Sequence, residues 1–78
     1  MQLVRAADSV GANIAEAQGR WHRPDQRRLL YVARGSLYEL EHWVDLALER
    51  GLLPAEASSA IPELGRTLNG LIKTYDAN

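Results

Sequence analysis

Apolar residues recur along this chain at helical spacing. Leu3, Ala7, Val10, Ile14 and Ala17 follow i, i+3/i+4 steps, which puts them on one face and predicts a first helix over residues 2–19. Gly11 weakens it locally. The segment Gly19 to Pro24 ends it, because Pro24 disfavours helical backbone at Arg23 and suits the first turn of the next element. A second helix over residues 24–50 carries Leu30, Ala33, Leu37, Leu40, Val44 and Ala47 as its main stripe. Leu29, Val32, Trp43 and Leu48 widen that stripe, and a helix apolar on more than one side touches more than one neighbour. Gly51 stands where a left-handed C-cap belongs, with Leu52 as the hydrophobic contact that often follows it. Pro54 opens a third helix over residues 54–76, with Ala57, Ile61, Leu64, Leu68, Leu71 and Tyr75 as its stripe. Pro62 removes a donor inside this pattern and predicts a kink, or a restart with Ser58 or Ser59 as N-cap. Short connections favour antiparallel neighbours. The predicted fold is all-α: an up-and-down antiparallel helical bundle forming one domain over residues 1–78.

Two blocks depart from ordinary helix composition: Asn13-Ile14-Ala15-Glu16, and Ala33-Arg34-Gly35-Ser36-Leu37-Tyr38-Glu39-Leu40-Glu41. Gly costs about 1 kcal/mol relative to Ala in a helix interior. Gly35 therefore predicts the close approach of a second backbone. Asn13, Glu16, Arg34 and Ser36, with Gly35 and Glu39 beside them, read as a polar patch between helices, setting register through the hydrogen bonds that buried polar groups require.

Size sharpens the packing problem. A 78-residue chain buries only about 60% of its unfolded surface, and small domains commonly need a staple or a partner. With no cysteine, there is no disulfide framework and no thiolate metal site. The staple must be packing between helices or chains. A net charge of −1 argues against a wholly basic nucleic-acid binder. No apolar run approaches the ~18 residues of a membrane span and no charged start leads into an apolar signal core, so the expected location is the cytoplasm, with no membrane partner.

Together the two blocks resemble those of the four-helix-bundle proteins encoded in intervening sequences of bacterial 23S ribosomal RNA genes. The resemblance runs from Gln2-Leu3-Val4-Arg5-Ala6-Ala7 to Leu68-Asn69-Gly70-Leu71-Ile72. Departures occur at Ala17, where Gly is common, at Gln26, where an aromatic is usual, and at Trp43. Members of that family begin with a helix that precedes the one opening here, so the resemblance implies three helices of a four-helix pattern. One missing helix would uncover about 600 Å² of apolar surface, on the order of 15 kcal/mol as an upper bound. The resemblance also implies a ring-like homo-oligomer, commonly a pentamer, in which another chain covers that face. The family has no settled activity. Its genomic association, and its similarity to pentameric accessory factors of diversity-generating retroelements, point by analogy to RNA or a protein partner.

Charge is unevenly spread. Residues 20–34 hold Arg20, Arg23, Arg27, Arg28 and Arg34 against Asp25, whereas residues 39–49 hold Glu39, Glu41, Asp45 and Glu49 with no Lys or Arg. This polarity opposes the helix macrodipole, although most of the charges lie beyond the terminal turns where that effect acts. Three readings compete for the arginines: a solvated face, pairing with acids of the same or another subunit, and phosphate binding. For the last, Arg forks match phosphate bidentately, Tyr31 lies one helical turn away, and Trp21 and His22 could stack on unpaired bases.

Catalytic signals are sparse. Glu39 and His42 share a Glu-x-x-His spacing, which puts both on one helix face. A di-iron bundle needs two such motifs plus two further glutamates, and Glu16 alone does not complete the set. No His neighbours Ser9 or Ser36 in sequence. The expectation is a non-enzymatic oligomeric scaffold without a cofactor, catalytic residues or metal ligands. A metal-dependent, di-iron-like enzyme on the Glu39/His42 face is the alternative.

Overall fold

The computed structural model describes residues 1–76. Helix α1 spans Gln2–Gln18 and α2 spans Arg23–Glu49. A short 3₁₀ turn, Ala55–Ser59, then leads into α3, Ala60–Asp76. No helix is long and apolar enough to cross a membrane. The chain is thus all-α, as the periodicity predicts.

Everything packs on α2. Its buried positions Leu29, Leu30, Ala33, Leu37, Leu40 and Val44 recur at i, i+3/i+4 steps and form one stripe. Helix α1 lies along one flank of this stripe, where the Ser9 hydroxyl meets Ser36 at 2.7 Å. Helix α3 lies along the other flank, where Arg34 Nη1 donates to Asn69 Oδ1 at 3.2 Å. Both neighbours run antiparallel to α2. Leu3, at the start of α1, lines one cleft with Trp43 and Leu46 near the end of α2, while Arg23, at the start of α2, reaches Thr74 at the end of α3. Between α1 and α3 no Cα pair comes within 8 Å. The core also takes Ala6, Val10 and Ala17 from α1 and Leu68 and Ile72 from α3.

The molecule is accordingly thin and long, 43 × 22 × 14 Å, with a radius of gyration of 13.5 Å. A compact chain of this length scales to roughly 11.5 Å. Leu30 and Leu68 are the largest side chains with almost no exposure.

Several local expectations need correction. On α1 the predicted stripe holds at Leu3, Val10, Ile14 and Ala17, but its remaining member is Ala6, which is buried, and not Ala7, which is exposed. Val32, read as widening the α2 stripe, is 44% exposed on the far side. Ile72 joins the α3 core, although the sequence reading leaves it out. The third helix does not run from residue 54: a 3₁₀ turn ends at Ser59 and the α-helix starts at Ala60, the restart that Pro62 predicts, without a kink inside α3. Pro62 is the third residue of α3, where a backbone N–H has no intrahelical acceptor to lose. Neither serine caps that helix by side chain, since Ser59 Oγ donates back to Glu56 O at 3.1 Å.

Two glycines divide in an instructive way. Gly51 has φ +69°, and the bonds Leu52 N–H to Ala47 O (2.8 Å) and Gly51 N–H to Leu48 O (3.1 Å) form the Schellman closure of α2. The hydrophobic residue after it is Leu53, packed against the core, whereas Leu52 is 72% exposed. Gly35 contradicts its expectation. A Cβ there would meet nothing within 4 Å, so no second backbone approaches it within the chain. Adding that carbon should therefore act through helix propensity alone. Gly35→Ala is expected to stabilise the monomeric chain by about 1 kcal/mol. Gly51→Ala, forced into positive φ, should destabilise it by about 1–2 kcal/mol. Urea denaturation at low concentration measures both, and equal signs would contradict this account.

Candidate functional site

The arginine-rich start of α2 is where the sequence concentrates charge and aromatic surface, and the structure distributes its members unequally. The connection from α1 is pinned by Gln26 Nε2, which donates to Arg20 O at 2.7 Å. His22 occupies the N-cap position without a side-chain cap bond. Trp21, at the tip, is 98% exposed. Arg20 turns back to Glu16 at 3.7 Å, an exposed i, i+4 pair.

The next arginines reach across to the end of α3. Arg23 Nη2 donates to Thr74 O at 2.9 Å, and its guanidinium lies 5.0 Å from the Tyr75 ring centroid. A cation on the last carbonyls of a helix satisfies acceptors left without partners and complements the negative end of the dipole. Arg27 Nε sits 3.9 Å from Asp76 Oδ1, and Tyr31 Oη donates to Asp76 Oδ2 at 2.7 Å. Arg34, bonded to Asn69, also lies 4.7 Å from the Tyr31 ring centroid. A shallow cleft of about 230 Å³ remains between Arg23, Pro24, Arg27 and Tyr75. Arg28 is exposed and has no ion-pair partner among the described residues.

Arg20, Trp21, His22, Arg23, Arg27, Arg28 and Tyr31 therefore lie along the connection and the first turns of α2 without forming a free basic surface. Arg23, Arg27 and Tyr31 clasp α3, and Asp76 contributes an opposing charge. Asp76 lies at the far end of the chain, beyond the reach of reasoning from α2 alone.

The predicted polar patch separates into parts. Ser36 does lie between helices, but its partner is Ser9, with Asn13 Nδ2 donating to Ser9 O at 2.8 Å. Sequence reasoning missed Ser9 as a patch member, although it stands one turn before Asn13. Glu16 and Arg34 do not join it, since each pairs elsewhere, and Gly35 is exposed. Glu39 accepts a long bond from Trp43 Nε1 at 3.3 Å, and His42 packs edge-on against the same indole. Among the described residues no three His, Cys, Asp or Glu side chains converge, so the di-iron-like alternative gains no ligand set.

The clasp has measurable consequences. Arg23→Ala should lower stability by about 0.5–1 kcal/mol, the scale of an exposed polar pair, and loosen α3 in amide exchange while sparing α1. The hydrogen bond to Asp76, together with desolvation and the nearby carboxylate, raises the Tyr31 phenol above its ordinary value, against the opposing effect of Arg34 and Arg27. A raised acid favours the folded state while it stays protonated, so this contribution is complete below about pH 10 and lost as pH climbs through the folded value. Tyr31→Phe should be less stable than the parent at pH 8, with the gap closing at alkaline pH. A gap independent of pH would contradict the assignment.

No curated protein and no solved structure matches the chain. A family model described as 23S rRNA-intervening sequence protein matches residues 1–74. With nearly the whole chain matched, and with the all-α architecture in place, this protein belongs to the 23S rRNA-intervening sequence protein family.

Proposed function

We propose that this chain is a non-enzymatic assembly module whose helical layer is completed by a helix from another copy. The observation that supports this reading is that α1 and α3 both pack on α2 while no Cα of one comes within 8 Å of the other. In a closed bundle they would be covered by a fourth helix. The apolar arc of α1 continues past its buried residues through Val4, Ala7, Gly11 and Ala15, all exposed and spaced i, i+3/i+4. Small side chains at three of these positions permit close helix approach. On α3, Leu64 and Leu71 remain half-buried at the edge of the core. Exposed apolar surface of this kind marks an interaction site.

The phosphate-binding reading is weaker than the assembly reading, because Arg23 and Arg27 already hold α3. Assembly by closed rotational symmetry, including the five-fold ring implied by resemblance, uses a surface of this type between neighbours.

Light scattering at low micromolar concentration tests the proposal. The parent chain is expected to exceed monomer mass, and Ala7→Glu is expected to reduce it with helix content intact, since Ala7 is exposed within the chain. A folded, cooperatively unfolding monomer would sink the idea.

A further inference from the structure

The outer face of α2, opposite the apolar stripe, has no use in the single chain. It nevertheless carries three features that a solvated face does not need. The first is Gly35, an open dent in the middle of a 27-residue helix. The second is exposed apolar surface on both sides of that dent: Val32 before it, 44% exposed, and Tyr38 after it, 62% exposed. The third is charge. Arg28, toward the start of the face, and Glu39, Glu41, Asp45 and Glu49, toward its end, are all exposed. None of them forms an ion pair among the described residues.

We propose that this face docks a second copy of the chain, α2 against α2 in antiparallel orientation about a two-fold axis, with each Tyr38 ring seated over the Gly35 of the other copy. The charge pattern selects the orientation. A parallel pair would set Arg28 against Arg28 and acids against acids, whereas an antiparallel pair sets Arg28 of each copy over the acidic half of the other along the ~40 Å of helix, at 1.5 Å per residue. One register satisfies both shape and charge. When the axis passes midway between Ser36 and Leu37, Gly35 lies opposite Tyr38 and Arg28 lies opposite Asp45, each twice, as an isologous contact requires. All four positions fall on the outward side of α2 at helical spacing, and a shallow crossing near 20° keeps the outer pairs within side-chain reach.

Gly35 then has the role the single chain denies it. Without a Cβ it admits an aromatic ring close to the backbone, which offsets its weak helix propensity. The contact is separate from the α1/α3 surface of the preceding section, and neither requires the other. Combined with a ring, it would place two rings back to back in dihedral symmetry. One helix pair buries less than the ~800 Å² per partner of a standard stable interface, so the association belongs in the micromolar range and above.

Sedimentation equilibrium from about 10 µM to several hundred µM tests this in an Ala7→Glu background, which silences the other surface and does nothing if that surface is inert. The background chain is expected to dimerise. Arg28→Glu and Asp45→Arg, each added singly, create two like-charge contacts per dimer and should weaken dimerisation at least about tenfold. The two single variants mixed together should recover it, because each supplies the charge the other lacks, and so should the double variant. Gly35→Leu should weaken dimerisation while helix content stays equal or rises. A background chain that remains monomeric throughout, single variants that associate as the background does, or a mixture that fails to recover would each overturn the proposal. Circular dichroism confirms folding, and the exposed, unpaired positions of Arg28 and Asp45 leave it no reason to change.

Discussion

One apolar stripe on α2 carries the whole structure. Leu29, Leu30, Ala33, Leu37, Leu40 and Val44 are the surface on which both other helices bury their own apolar faces. Because α1 and α3 meet this stripe from different flanks, their backbones stay more than 8 Å apart at the Cα positions. That constraint explains the thin shape, the small core and the apolar positions left at its margins. It also explains the absence of buried polar or charged residues among the described residues, since a core this narrow has no interior volume in which a polar network could be fully satisfied.

Polar interactions accordingly sit at the edges and act as registers. The Ser9–Ser36 contact, with Asn13 behind it, indexes α1 along α2. The Arg23, Arg27, Tyr31 and Arg34 set indexes α3. Individually these exposed pairs contribute little. Their value is directional, because apolar contact on a smooth stripe tolerates sliding and an arginine hydrogen-bonded to a fixed acceptor beside an aromatic ring does not. The use of arginine, with Lys73 the sole lysine, agrees with this geometric role. It also recasts the charge asymmetry of α2: the basic half is largely turned to the end of α3, and the acidic half is left facing outward.

The two unpartnered surfaces differ in chemistry. The margin between α1 and α3 is apolar with small residues, suited to burying a helix. The outer side of α2 is amphipathic, with a tyrosine, a glycine dent and opposite charges at its two ends, suited to a weaker, oriented contact. Family membership is consistent with either surface and names no activity, so these physical features carry the functional reading.

How much was legible in the sequence follows from which interactions are local. Helix identity, the stop at Gly19 to Pro24 and the Schellman closure at Gly51 are decided within a turn or two of backbone, by periodicity, missing N–H groups and positive φ. The sequence alone therefore determined an all-α chain with one dominant stripe on its second helix, and the matching blocks at Asn13 and Gly35 carried the family. Tertiary structure decided the rest. The position of the neighbouring helix chose Ala6 over Ala7, because both lie at i+3/i+4 spacing from Leu3 and a stripe's edges are fixed only when a neighbour is present. Docking of α3 brought Asp76 and Thr74 to arginines some fifty residues earlier, pairings no spacing rule encodes. It also left Gly35 facing open space, since a glycine announces only that backbone can come close, and the arrangement of whole helices decides whether any does.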